Sequence, residues 1–124
     1  MQTALLDTNA LMMPVEVGVR LFEEVERVAG QVEYLVPAAT VAELDALSEG
    51  AGEAATAASV GRDLVERCRV VDHAADSADN AVVELADGAD VVVTNDGPLR
   101  DRVLDAGVPV ISLRGQHKLA VTQP

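Results

Sequence analysis

The chain of 124 residues is short of several things. It has one cysteine, Cys68, which excludes an internal disulfide and cannot by itself make a zinc cluster. With neighbours Leu64 and Val65, it reads as a small apolar packing residue. There is no tryptophan, one phenylalanine and one tyrosine, so aromatic stacking on nucleic-acid bases has little to work with. Phe22 and Tyr34 both read as core. No apolar run is long enough to span a bilayer. No basic region leads into a signal-type stretch, so the expectation is a soluble cytoplasmic protein with no membrane partner. Positive charge is scarce too: 9 bases, eight arginines and Lys118, face 21 acids, for a net charge of −12. A non-specific polyanion binder would be basic, so the balance weighs against nucleic acid unless bound cations reverse the charge locally. An acidic, lysine-poor surface over small apolar residues is what proteins of salt-loving cells show.

What is present is an alternation of strands and helices. Thr3 to Leu6 reads as a buried strand, and Pro14 breaks the loop after it. Val17 to Val28 carries a helical stripe of Val17, Leu21, Phe22, Val25 and Val28, ended by Gly30. Tyr34-Leu35-Val36 is a second strand. A helix over 39–47 follows, with Val41, Leu44 and Leu47 as its apolar face. An alanine-rich helix runs from Glu53 to Cys68, with Val60, Leu64 and Val65 inside; its small residues invite the close approach of another helix, from this chain or a second copy. Arg69-Val70-Val71 is a third strand, and Asp76 or Ser77 caps a helix through Leu85. Asp90 to Thr94 is the most β-branched strand. A helix over 97–106 and a strand over 110–113 complete the series, leaving 115–124 as a frayed tail on a domain of 1–114. Apolar strands joined by helices specify a three-layer α/β/α fold with a five-stranded parallel sheet.

In such a sheet, ligands bind beyond the carboxyl ends of the strands. Four strand-to-helix junctions each send an acid there. Asp7 follows the first strand, Glu43 lies early in the helix after the second, Asp79 lies in the first turn of the helix after the third, and Asp96 follows the fourth. Each has a bland explanation: a helix-terminal acid for Asp79, a solvated helix residue for Glu43, turn formers for Asp7 and Asp96. Their joint arrival is harder to dismiss, because clustered carboxylates repel unless a cation or protons intervene. Oxygen-only donors favour Mg²⁺ or Mn²⁺ over zinc. Two such ions about 4 Å apart suit phosphodiester hydrolysis. Thr8, Asn9, Thr94 and Asn95 would steady the carboxylates. Arg100, one turn beyond Asp96, is a candidate phosphate contact, and Asp76 competes with Asp79 for the third place.

Leu6-Asp7-Thr8-Asn9, Thr40-Val41-Ala42-Glu43-Leu44, Asp79-Asn80-Ala81-Val82 and Thr94-Asn95-Asp96-Gly97-Pro98-Leu99-Arg100 together resemble the PIN domain, in that order. The stretch Val108 to Arg114 is similar to archaeal PIN proteins related to ribosomal-RNA processing factors. The resemblance implies a metal-dependent endoribonuclease with Asp7, Glu43, Asp79 and Asp96 as the acidic set, a sheet ordered 3-2-1-4-5, and often a dimer. PIN domains act as toxins beside an antitoxin protein, as RNA-processing nucleases within ribosome-maturing particles, and sometimes as inactive RNA- or protein-binding scaffolds.

Other readings fit less well. A haloacid-dehalogenase-type phosphotransferase needs a second Asp where Asn9 stands. A receiver domain needs a lysine near a late strand end, and Lys118 comes after the last one. A dinucleotide fold needs a glycine-rich first turn, and 7–13 has no glycine. His73 and His117 read as solvated or satisfied residues.

Overall fold

The computed structural model describes residues 1–124. Six strands form one mixed sheet in the order β3-β2-β1-β4-β5-β6. They are β1 (Gln2–Leu6), β2 (Val32–Pro37), β3 (Arg69–Val71), β4 (Val91–Val93), β5 (Val110–Arg114) and β6 (Lys118–Thr122). The first five are mutually parallel, as expected, and their order matches 3-2-1-4-5. The sixth corrects the expectation of a five-stranded sheet. Residues 115–117 turn the chain at Gly115 (φ +76°), and the stretch expected to be a frayed tail returns antiparallel to β5.

Side-chain alternation divides the interior in two. Ala4, Leu6, Tyr34, Val36, Val91, Val93 and Ile111 point to one face, under α1 (Thr8–Glu16), α2 (Leu21–Ala29), α3 (Ala38–Ser48) and α4 (Gly52–Leu64). Leu5, Leu35, Val92 and Val110 point to the other, under α5 (Ala78–Ala86) and α6 (Gly97–Asp105). Asp90, read from sequence as strand, lies just before β4; its carboxylate accepts from the Thr3 N–H at 2.7 Å and so helps set β4 beside β1. The two aromatics pack edge to face, with centroids 4.6 Å apart, and Arg67 lies over the Phe22 ring.

Three helical readings need correction. Residues 8–16 form a helix and not a loop. Asp7 caps it, and Pro14 sits near its end, where the missing N–H forfeits a single bond from the last turn. The next helix starts at Leu21 and not at Val17. On α4 the buried residues are Ala55, Ala57, Ala58 and Gly61, whereas Val60 and Leu64 are only partly covered; Val65 to Arg67 form a 3₁₀ turn. The helix that approaches these small residues is α1 of the same chain. A Cβ on Gly61 would stand 2.8 Å from the Leu11 carbonyl oxygen, so glycine sets this spacing.

The edge strand β6 is fastened to α2. Glu24 accepts from the Leu119 N–H at 3.0 Å, and Arg27 donates to the Leu119 carbonyl at 2.7 Å. Arg27 also pairs with Glu24 at 2.9 Å, and these donors draw the Glu24 carboxyl down to about 2.

Because backbone cannot yield as a flexible side chain can, Gly61→Ala is expected to lower unfolding stability by about 1–3 kcal/mol, read by urea titration. Gly97→Ala, where nothing lies within 4 Å of an added Cβ and φ is ordinary, serves as the comparison without the contact.

Candidate metal centre

The geometry of the rim starts from the pairing of β1 with β4, which sets Leu6 opposite Val93. The next residue of each strand, Asp7 and Thr94, is buried, and the Thr94 hydroxyl donates to Asp7 Oδ2. The same hydroxyl accepts from the Asp96 N–H at 3.1 Å. Asp7 Oδ1 accepts from the Ala10 N–H at 2.7 Å, and Asp96 Oδ1 from the Leu99 N–H at 3.0 Å. Each acid therefore caps the helix that follows its strand, α1 or α6. Asp96 Oδ2 makes no hydrogen bond to the protein and is free for another partner.

The asparagines tie the corner together. Asn9 Oδ1 accepts from the Asn95 N–H at 2.9 Å, and Asn95 Oδ1 accepts from the Leu113 N–H at 3.3 Å. The start of α1, just past β1, is thereby joined through the loop after β4 to β5.

Glu43 comes from α3 and Asp79 from the first turn of α5, whose N-cap Ser77 accepts from the Asn80 N–H. The loop before α5 is held by Glu84, which accepts from the Ala74 and Ala75 N–H groups, and by His73, whose Nε2 accepts from Ala39 N–H while Nδ1 meets the Ala75 carbonyl. His73 is thus a satisfied structural residue.

All four acids line one cleft of about 280 Å³. Thr8, Asn9, Met12, Glu16 and Leu47 complete its walls. Asp79 lines it and Asp76 does not. Glu16 is a fifth acid that sequence reading missed; once α1 is recognised as a helix, the spacing of Asn9, Met12 and Glu16 puts the three on one face. Leu47, expected in the core, is 40% exposed at the cleft. Thr94 and Asn95 lie behind the carboxylates rather than in the cleft wall. Arg100 also lies outside it and lines a separate cavity beside β5.

Electrostatics join the four acids. Burial pushes Asp7 up to about 7, against its two hydrogen bonds, and Asp79 and Asp96 add to the rise. Asp79 is also raised, by burial first and then by Asp96 and Glu43. The oxygen donors fit a hard divalent cation, which would relieve this repulsion. So does the Thr8 hydroxyl, buried on the cleft wall without a hydrogen-bond partner. No three acidic, histidine or cysteine side chains are drawn in tightly enough to grip one ion among them.

Set against known proteins, the chain matches a family model described as a PIN-like domain over residues 4–116. It is similar to the PIN domain endonuclease Utp24 in structure, with a TM-score of 0.78 over 98% of this chain and 92% of that one, at 23% identity. Among curated sequences it is 40% identical over 58 residues to a UPF0178 protein of Sulfurimonas denitrificans and 49% identical over 47 residues to one of Caulobacter sp. (strain K31). Those matches cover 47% and 38% of this chain, and 38% and 31% of the relatives. The chain thus spans well under half the length of the curated relatives it matches.

Asp7 gives the site a pH signature. Its native carboxyl holds its proton to about pH 7, whereas the unfolded one releases it near 3.8. The metal-free native state therefore binds more protons between those values, and stability falls as pH rises through that window. Thermal melts in chelator at pH 5 and pH 8 are expected to show the drop, and Asp7→Asn to remove most of it.

Proposed function

Since this chain belongs to the PIN-like domain family, we propose that it is a metal-dependent endoribonuclease acting at the cleft of Asp7, Glu43, Asp79 and Asp96. The observation that carries the reading is the gathering of these acids, with the unpartnered Thr8 hydroxyl, at the carboxyl end of β1 and β4. In this reading they hold Mg²⁺ or Mn²⁺. The ions, when bound, lower the pKa of a water and offset charge on the phosphodiester.

The chain's own residues supply position. Thr94 fixes one oxygen of Asp7 and the backbone of Asp96 with a single hydroxyl, so the two carboxylates keep a set separation. Ala10 N–H holds the other Asp7 oxygen, leaving little freedom for the side chain to wander. Asn9 and Asn95 lock the loop on which Asp96 sits. Asp79 and Glu43 are both exposed, so they would be free to adjust when a cation arrives. All four acids come from one chain, so neither an antitoxin, a ribosome-processing particle nor a second copy is required to complete the site.

A second reading has one observation in its favour. The spread of the acids without a closed cage also suits a non-catalytic RNA- or protein-binding module that keeps the fold.

Incubation of single-stranded RNA with Mn²⁺ or Mg²⁺ is expected to give internal cleavage that chelator stops. Asp7→Asn and Asp96→Asn should each cut the rate by more than about a hundredfold while the fold persists by circular dichroism, and Asp76→Asn should leave it near wild type. Metal binding by calorimetry with no cleavage of any RNA would favour the scaffold instead, and cleavage indifferent to both substitutions would end the four-acid reading.

A further inference from the structure

Positive charge in this chain is rationed, which makes its placement informative. Five of the eight arginines have a carboxylate within 4 Å. Arg67 lies over Phe22, and Arg102 donates to the Asn80 side chain. Arg114 and Lys118 have no such partner, although Lys118 is near enough to help lower Glu24. They also stand directly opposite each other across the β5–β6 hairpin. Like charges in that position destabilise a sheet, and with 21 acids available the fold had ample means to neutralise them.

The hairpin borders a cavity of about 210 Å³ lined by Arg100, Ser112, Arg114, Ala120 and Thr122, and Arg114 also lines a neighbouring groove together with Lys118. Of the ion-paired arginines, Arg100 has the loosest partner, Asp101 at 3.8 Å. Two hydrogen bonds tie the walls of this cavity to the loop that carries Asp96. Leu113, next to Arg114, donates to Asn95, and the Arg100 N–H donates to the Asp96 carbonyl at 2.9 Å. No aromatic ring is free nearby to stack a base, since Phe22 and Tyr34 are spent on each other in the core.

We propose that Arg100, Arg114 and Lys118 form a cradle for the sugar-phosphate backbone of single-stranded RNA, holding the strand where it passes the Asp96 side of the cleft. This rests on the ribonuclease reading and names the part of the site that holds the substrate away from the scissile bond. The cradle reads phosphates and not bases, so binding is indifferent to sequence and sensitive to salt. It also gives the protein a foothold on RNA that does not depend on metal.

The test is fluorescence anisotropy of a labelled oligouridylate in chelator, across a salt series. Arg114→Gln/Lys118→Gln is expected to weaken binding roughly tenfold at low salt and to flatten the slope of log affinity against log salt by about 1.4, the value for two lost single-strand phosphate contacts. A charge-matched control, Arg62→Gln/Arg69→Gln, is expected to bind within about twofold of wild type. Its melting temperature reports the loss of two ion pairs separately. The hairpin variant should melt no lower than wild type, because it removes a like-charge pair. A hairpin variant that binds as the control does would overturn the cradle, as would a wild-type protein that binds no RNA in chelator. So would inorganic phosphate displacing the RNA more strongly than sulfate at equal ionic strength, which marks a free-phosphate site. Cleavage in Mn²⁺ is scored separately: hairpin-dependent binding without cleavage leaves the cradle standing and sinks the ribonuclease reading, and the converse result does the opposite.

Discussion

The parallel pairing of β1 with β4 is the constraint on which the rest of the rim depends. The two strands are far apart in sequence, and their register sets Leu6 beside Val93. The next residue of each is then a neighbour of the other, so the Asp7 carboxylate and the Thr94 hydroxyl meet without water between them. From that contact the Asp96 backbone is fixed, and from Asp96 the start of α6. A slip of one residue would turn Ala4 and Leu6 to the wrong face of the sheet and move Asp7 off the edge. The Asp90–Thr3 bonds at the other end of the same pair guard against it.

Burial falls off across the four acids. Asp7 is 5% exposed and held at both oxygens, Asp96 is half-buried with one oxygen free, and Asp79 and Glu43 are exposed. The deep pair is thus placed by folding, and the outer pair is placed loosely by two helices. A buried carboxylate with a proton affinity near neutrality is costly for folding alone. On the proposed reading, a bound cation would offset that cost.

Much of this was readable from sequence because strand ends and helix caps use few residue types. Asp7, Asp79 and Asp96 follow apolar runs or open helices, and the topology of parallel sheets sends such residues to one edge. The preference for Asp79 over Asp76 followed from where the buried face of α5 begins, at Ala81 and Val82. What escaped had a physical cause in each case. Pro14 reads as a breaker, yet near the end of α1 its missing N–H costs little, and with that helix unrecognised Glu16 stayed hidden. Leu47 carries an apolar side chain that the cleft leaves exposed, so hydropathy assigned it to the wrong environment. Residues 115–124 mix polar and small residues without a clear period; Leu119 alone anchors β6 in the core, and its partners Glu24 and Arg27 lie on α2, far outside any local window.

The fastening of Leu119 to α2 bears on more than the strand it holds. An outermost strand offers unpaired amides and carbonyls to any passing chain, a template for runaway assembly. Here Glu24 takes the amide and Arg27 the carbonyl at the middle of that border, so two side chains imitate the neighbour that is not there. At Leu119 this flank of the sheet therefore offers a foreign strand neither amide nor carbonyl.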